Sequence, residues 1–169
     1  MDLYPTLLEL AEAPIPDGIH GRSLLPLARR EVDEVRDELF AELTYHAAYD
    51  PQRAIRTRRH KLIWHFGDRL EPVLPNVDDS PSKSLLIEAG WGSRPRPRVE
   101  LYDLIMDPTE MRNLADVPDF APLREELEGR LQAWMLQTGD PLLDGPVPAP
   151  AGAVVNDPAG ISAIEPFLD

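Results

Sequence analysis

The sequence contains no cysteine, and this absence excludes several kinds of site at once. Without thiols the chain has no disulfide, no zinc–thiolate centre and no cysteine nucleophile. Long apolar runs are also missing, since no stretch approaches the roughly 20 residues that a membrane-spanning helix needs. The first residues, MDLYPTLLEL, have no basic segment and do not form a signal peptide. We therefore expect no membrane association and a cytoplasmic chain as it stands, although a cysteine-free protein can also be exported.

Basic residues are scarce: 17 Lys and Arg face 30 Asp and Glu, which gives a net charge of −13. This balance argues against general nucleic-acid binding, which depends on neutralising phosphates. Eight of these 17 basic residues lie in two islands, residues 53–61 and 94–98. Such islands either receive an anionic substrate or lie on a solvent-exposed face, and the sequence leaves both readings open. With 43% hydrophobic residues over 169 positions, the chain has the composition of one globular domain with extensions.

Four short segments rich in β-branched or aromatic residues predict an antiparallel sheet, at 38–46, 53–57, 60–66 and 99–104. The connection 67–98 is long and rich in proline, which is typical of a functional loop or a mobile insertion. Inside it, Ser80 as N-cap, Pro81 at the first position and Gly90 at the end predict a short helix.

Apolar residues at 3–4 spacing from Phe120 to Met135 predict a long helix that covers one face of the sheet. Asp119 is expected to cap its start and Gly139 its end. The expected fold class is therefore α+β. A further helix is predicted over residues 1–13, with Asp2 as its cap. Because this helix stands at the start of the given sequence, it raises the question of what its apolar face packs on.

An acidic cluster in ELYDLIMDPTEMRNLAD, residues 100–116, raises the question of a metal site. An EF-hand counted from Asp103 needs oxygen ligands at its third and fifth positions, glycine at the sixth and glutamate at the twelfth. Three of these four positions fail, because they hold isoleucine, proline and leucine. A turn that starts at Asp107 and Pro108, closed by a local hydrogen bond of Asn113, fits better.

His46 is the most interesting of the four histidines, because it ends a predicted strand beside Tyr45 and Tyr49. Strand ends are where binding groups collect, although a lone histidine there is more often structural. No histidine pair has metal-ligand spacing on a helix, and Ser23 is better explained as a helix cap than as a nucleophile. The residues alone provide no complete catalytic constellation.

Four motifs in order resemble the C-terminal part of the type I sulfatases, members of the alkaline-phosphatase superfamily. They are DLYPTLLELAEAPIPDGIHGRSLLPL (2–27), RAIRTRRHKLI (53–63), ELYDLIMDPTEMRNLA (100–115) and LQTGDPLL (136–143). The first departs from the family pattern, since Glu12 and Ala13 stand where the family usually has glycine. The insertion, the segment FAELTYH and the ending from Trp134 to Pro141 look most like the heparan N-sulfatase (sulfamidase) branch.

The resemblance implies chemistry that this chain does not carry by itself. Sulfatases use a formylglycine made within a C/S-x-P-S-R motif and a calcium ion, both in a large N-terminal domain, and the motif is absent here. We therefore expect no catalytic residue, no metal site and no cofactor in this chain, and an inactive protein when it stands alone. By resemblance, His46, Glu42 and Tyr45 lie where the smaller domain lends residues to the substrate pocket, and Arg53 is a weaker candidate.

The resemblance also divides the chain into three parts. Residues 1–35 correspond to the end of the catalytic domain and a linker, 36–140 to the C-terminal subdomain with its insertion 67–98, and 141–169 to a Pro/Ala/Gly-rich tail that wraps the surface or is disordered. The partners implied are the catalytic domain and a sulfated substrate. The isolated chain is then expected to be marginally stable, to self-associate through its first helix, or to be a fragment. The alternative is a free-standing module that binds a protein partner or an anionic glycan.

Overall fold

A computed structural model describes residues 1–164, which form two compact units, Met1–Glu38 and a second unit from Leu39 onward. The first unit contains two helices, and the second contains the sheet with two further helices. The helices are α1 (Leu3–Leu10), α2 (Leu25–Ala28), α3 (Pro81–Glu88) and α4 (Ala121–Thr138), and the strands are β1 (Glu38–Tyr45), β2 (Tyr49–Thr57), β3 (His60–His65) and β4 (Val99–Asp103).

In the first unit, α1 is present but shorter than predicted, and the predicted cap at Asp2 is wrong. The Asp2 carboxylate makes no capping bond to the helix. It accepts hydrogen bonds from the backbone N–H of Arg22, at 2.9 Å, and from the guanidinium of Arg36. These contacts, with that of Arg22 first in size, hold the pKa of Asp2 below its ordinary value against the opposing effect of burial. Asp2 therefore ties α1 to the segment that follows it.

The sheet confirms the α+β prediction: its four strands lie in the order β1-β2-β3-β4, and successive strands are antiparallel neighbours. Ile55 lies opposite Leu62, and Leu62 opposite Leu101, so these three fully buried side chains share one face. A two-residue turn joins β2 to β3. The strand β2 begins at Tyr49, four residues earlier than predicted.

The long helix α4 covers this face of the sheet and completes the core. Its buried residues Leu127, Leu131 and Met135 join the apolar side chains of β2, β3 and β4. Against β1, the ring of Trp134 stacks on Phe40 with 4.9 Å between centroids. Gly139 ends α4 in the left-handed conformation, at φ 64°, as predicted.

The predicted cap of α4 at Asp119 is wrong. Residues Pro118–Phe120 form a 3₁₀ turn, and the α-helix begins only at Ala121, without a side-chain cap. Proline lacks a backbone N–H, so it fits the start of such a turn, where that group would have no partner. The capping pattern in the sequence therefore marked the right region but the wrong residue.

The acidic cluster after β4 forms turn structure, as the turn interpretation predicted. The N–H of Glu110 donates to the carbonyl of Asp107, which closes the turn at Pro108, and Asp107 Oδ2 accepts from the N–H of Arg112 at 2.8 Å. Asn113 returns to the sheet, where its side chain bonds to the backbone of β4. The motif therefore ends β4 and holds the following segment against the edge of that strand by hydrogen bonds.

The insertion between β3 and β4 contains the predicted helix α3. Ser80 Oγ accepts from the N–H of Lys83 at 3.1 Å, Pro81 occupies the first helical position, and Gly90 follows the helix with φ 83°. The Lys83 ammonium is buried, where it donates to the Val77 carbonyl and to Asp79. These contacts fold the insertion back on itself.

Replacing Ser80 with alanine is expected to destabilise α3 by about 1 kcal/mol, because the N–H of Lys83 loses its acceptor. Amide hydrogen exchange of α3 measures this directly, since a short helix of an insertion opens locally. The matched control is Ser82→Ala, an exposed serine inside the same helix. Equal exchange in the two variants would contradict a capping role.

The tail wraps the second unit over its described part, residues 141–164. Asn156 forms a parallel bridge with Ala48, and its N–H donates to the Ala47 carbonyl at 2.8 Å. Leu142 is buried in the core beneath α4. The last five residues of the predicted tail, 165–169, lie outside the described residues.

Candidate functional site

The turn between β1 and β2 carries His46, and it is fixed by the insertion. The amide of Asn76, at the end of the 3₁₀ turn Leu74–Asn76, accepts from the N–H groups of Ala47 and Ala48 at 3.0 and 2.8 Å. It also donates to the Ala48 carbonyl at 3.2 Å. One side chain thus bonds to three backbone groups of this turn, which holds the backbone next to the exposed His46 in place.

Two tyrosines fasten the same turn to the tail. The Tyr45 hydroxyl donates to the Val147 carbonyl at 2.9 Å, and the Tyr49 hydroxyl accepts from the Val147 N–H at 3.2 Å. Their rings lie 4.9 Å apart. Burial, with a smaller contribution from Tyr49, raises the pKa of Tyr45, so its phenol keeps its proton and remains a donor at neutral pH.

Arg53 lies inside the second unit, where its side chain is 2% exposed. Its guanidinium forms two bonds to the Asp140 carboxylate, at 2.5 and 3.0 Å. The other three N–H bonds go to the carbonyls of Leu43 and Gln52 and to Thr44 Oγ1. All five donors are used, so Arg53 can support a substrate pocket by holding β1 in place but has no donor left for a ligand.

The four predicted site residues therefore do not form one cluster. Glu42 is exposed on β1 with its carboxylate 3.9 Å from Arg53 Nε. Alternation along the strand places Glu42 with Phe40 on the face that α4 covers. Tyr45 and His46 are consecutive at the strand end. Of the four, only Glu42 and His46 are exposed, and His46 directly precedes Ala47 and Ala48, to which Asn76 of the insertion bonds.

The opposite face of the sheet meets the insertion around a cavity of about 500 Å³. This volume lies in the usual range for a small-molecule site. From the sheet come Leu43, Asp50, Gln52 and Glu100, and the insertion supplies Pro72, Val73, Asn76 and Val77 together with Trp91 and Arg94–Arg96. Asn76 belongs to both features, since it lines the cavity and holds the turn of His46.

Ion pairing fixes two of the four charged groups that line this cavity. The Arg96 guanidinium bonds to both oxygens of the buried Asp50, at 2.6 and 3.0 Å, and the Gln52 amide N–H donates to Asp50 at 2.8 Å. Such a bidentate ion pair is fixed in geometry as well as strong. It anchors the end of the insertion to the start of β2.

Both carboxylate oxygens of Glu100 are also engaged. His65 Nε2 lies 2.8 Å from Oε1, and the Tyr102 hydroxyl donates to Oε2. Although burial acts to raise it, these two hydrogen bonds hold the pKa of Glu100 below its ordinary value. His65 Nδ1 is buried and has no hydrogen-bond partner among residues 1–164, so Nε2 is the ring nitrogen through which His65 bonds to Glu100.

The described residues do not fit a calcium ion. Within residues 1–164, no group of three or more His, Cys, Asp or Glu side chains is placed to hold a metal. The acidic cluster after β4 is occupied by internal contacts: Asp103 bonds to Arg59 at 2.8 and 3.0 Å, and Glu110 pairs with Lys61. Over the same residues, no helix is long and apolar enough to cross a bilayer.

Sequence reasoning missed the residues that build the cavity. Asp50 and Arg96 are 46 positions apart, and no local pattern links them. The signal that was present is the second basic island, since Arg94 and Arg96 belong to it and line the cavity. The proline-rich insertion was the other clue, because it pointed to a loop of functional length.

Comparison with known proteins identifies the family. The model of the C-terminal domain of N-sulphoglucosamine sulphohydrolase matches residues 1–84. An ulvan-active sulfatase of Formosa agariphila is 33% identical over 88% of this chain, and human N-sulphoglucosamine sulphohydrolase is 30% identical over 86%. This chain belongs to the family of sulfatase C-terminal domains. The sulfatase resemblance of the four motifs, including its sulfamidase-like character, is confirmed.

This sulfatase region spans about a third of the curated relatives it matches, 31% of the Formosa protein and 34% of the human one. The fold agrees with solved sulfatases. A glycosaminoglycan 2-O-sulfatase superposes over 88% of this chain and 27% of its own with a TM-score of 0.61, at 24% identity. A second structure, in complex with its substrate D-glucosamine-2-N,6-O-disulfate, superposes over 86% of this chain and 24% of its own with a TM-score of 0.58, also at 24% identity.

Proposed function

We propose that this chain is the C-terminal subdomain of a sulfuric ester or sulfamate hydrolase and shapes the substrate pocket beside a catalytic domain. The formylglycine and the calcium ion that sulfatases generally use are assigned to that domain. The observation that carries the proposal is the match to sulfatases along most of this chain but only a third of theirs. A region of this extent is expected to act together with the remaining two-thirds.

The turn of His46 is the part of the proposal that concerns substrate. It lies at a strand end, it is exposed, and Asn76 and the two tyrosines hold its backbone in place. A side chain on a rigid turn loses little conformational entropy when it binds a ligand. We assign His46 a contact with the sulfated substrate, with Tyr45 supporting the turn.

The exposed face of α1 supports a catalytic domain as partner. Leu3, Leu7 and Leu10 are 71%, 62% and 60% exposed, although they lie on one side of the helix. Apolar residues grouped in this way mark an interaction surface more often than a free one. In the proposal this face packs on the catalytic domain.

The mass of the native protein tests the proposal first. We expect a polypeptide, or a stable complex, well above the 19.0 kDa of this chain, and hydrolysis of a small aryl sulfate by that species. Native mass spectrometry and an aryl sulfate assay provide the two measurements. A native species of 19.0 kDa without sulfatase activity would favour the free-standing module instead.

Within the active species, His46→Ala is expected to raise KM for a sulfated sugar by about tenfold and to leave kcat nearly unchanged. A hydrogen bond to a charged group contributes about 1.5–3 kcal/mol, and 1.4 kcal/mol corresponds to a factor of ten. Steady-state kinetics separate the two constants. The control is His20→Ala, an exposed histidine between α1 and α2.

A loss of kcat without change in KM would contradict the assignment of His46 to substrate binding. Identical kinetics for His46→Ala and His20→Ala would contradict any contact of the turn with substrate.

A further inference from the structure

One charged group in the cavity between the sheet and the insertion is uncommitted. Asp50 is paired with Arg96, and both oxygens of Glu100 are engaged. Among the described residues, Arg94 is the lining charge for whose side chain no hydrogen bond or ion pair is found, and it is exposed. The guanidinium has all its donors available and lies at the edge of the cavity. Such a group favours a planar or tetrahedral anion, such as a carboxylate or a sulfate.

The wall beside Arg94 is apolar and aromatic. Trp91 begins the 3₁₀ turn Trp91–Ser93 that leads directly to Arg94, and its indole is half-buried against the cavity. Val73 and Pro72 line the same side. An indole face is a broad apolar surface with a polar edge, which suits the C–H face of a sugar ring.

Two amides supply unused polar atoms. Gln52 uses its N–H on Asp50, which leaves its carbonyl oxygen as an acceptor. Asn76 donates one N–H to the Ala48 carbonyl, which leaves a second. Both side chains are held in place by these bonds, so each presents its remaining atom in a fixed direction. An acceptor and a donor so placed match the hydroxyls of a sugar.

We propose that this cavity is a subsite for one sugar unit that carries an anionic substituent. Arg94 pairs with the sulfate or carboxylate, Trp91 packs on the ring, and Gln52 and Asn76 bond to its hydroxyls. The inference deepens the proposed function, on which it rests for the class of glycan, since it names a site other than His46 where this subdomain selects substrate.

The test measures binding of D-glucosamine-2-N,6-O-disulfate to the purified protein by isothermal titration calorimetry. Arg94→Gln is expected to weaken binding about tenfold, since a charge-assisted hydrogen bond is lost. Trp91→Ala is expected to weaken it about three- to tenfold, the range for aromatic packing. Arg58→Gln, which removes the same charge from the exposed β2–β3 turn, is expected to leave the affinity unchanged.

Two further probes identify what is recognised. N-acetylglucosamine, which has no negative charge, should bind weakly and respond only to Trp91→Ala. Inorganic sulfate should bind weakly and respond only to Arg94→Gln. Sulfate that binds as tightly as the disulfated sugar, without any effect of Trp91→Ala, would overturn the sugar subsite in favour of a simple anion site.

Failure of this inference can be told apart from failure of the proposed function. Equal affinity of Arg94→Gln and Arg58→Gln for the disulfated sugar overturns the subsite, whether or not the protein hydrolyses aryl sulfates. Absence of any hydrolysis by the native species, with the Arg94 and Trp91 effects intact, overturns only the sulfatase function. Since Arg94 is exposed, its variant is expected to fold, and a thermal melt matching that of the unsubstituted protein verifies this.

Discussion

Replacing Asp140 with asparagine is expected to destabilise the second unit by about 3–5 kcal/mol, the usual cost of breaking a buried ion pair. The carboxylate is 1% exposed and forms two bonds to Arg53, itself 2% exposed. The neutral amide leaves the buried guanidinium without its counter-charge. It also weakens the bond in which Asp140 Oδ1 accepts the N–H of Leu142. Urea unfolding followed by circular dichroism measures the loss.

The matched control is Asp144→Asn, which makes the same chemical change at an exposed position four residues later. Surface substitutions of this kind usually change the free energy of unfolding by no more than about 0.5 kcal/mol. If both variants lost the same small amount, Arg53 and Asp140 would not stabilise the fold as a pair. A large loss of stability in Asp140→Asn alone would show that Arg53, the first residue of the basic island at 53–61, stabilises the fold.

The pH dependence of stability follows from the same carboxylates. Burial acts to raise the pKa of Asp140, but the bonds from Arg53 outweigh it and hold that pKa below its ordinary value. The Arg59 guanidinium lowers the pKa of Asp103 to about 2. A carboxyl whose pKa is lower in the folded state contributes stability above its unfolded pKa, near 4, and loses it as the pH falls toward the folded value. We therefore expect the free energy of unfolding to fall between about pH 4 and pH 2, with a shallower slope in Asp140→Asn.

The helices and strands of this fold were predictable because the residues that specify each of them are close together in the sequence. Short runs rich in β-branched or aromatic residues predicted the strands, and the pattern of Ser80, Pro81 and Gly90 predicted α3. The environment of Arg53 was not predictable in this way, because its counter-charge lies 87 positions along the chain. An arginine beside a substrate and an arginine locked in a core look alike in sequence, and only the fold distinguishes them.

The cavity illustrates the same limit on a larger scale. Its walls come from the sheet and from an insertion whose amino acids suggest only a proline-rich loop. The contacts that bring them together, Asn76 with the turn of His46 and Arg96 with Asp50, join segments far apart in sequence. Family resemblance predicts a substrate contact at the strand-end turn, whereas the residues that line the cavity are brought together only by these long-range bonds.

The second large effect is expected at Asn113, in the motif that first suggested a metal site. Its Oδ1 accepts the N–H groups of Leu101 and Ala115, both at 2.9 Å, and its Nδ2 donates to the Val99 carbonyl at 3.0 Å. Leu101 and Ala115 are buried, so water cannot replace the lost acceptor. We expect Asn113→Ala to cost about 2–4 kcal/mol, since each unsatisfied buried N–H costs about 1–3 kcal/mol.

Two variants separate the role of Asn113 in the sheet from any general effect on the turn. Asn113→Asp keeps the oxygen that serves Leu101 and Ala115 but removes the donor to Val99, so its loss in urea unfolding should be smaller than that of alanine. Thr109→Ala, at an exposed position of the same turn, should change the free energy of unfolding by no more than about 0.5 kcal/mol. If Asn113→Ala lowered the free energy of unfolding no more than Thr109→Ala, the edge of β4 would be held by apolar packing of Leu114 instead. A graded series, with alanine worst and Thr109→Ala neutral, would establish that the most recognisable motif of this chain serves the sheet.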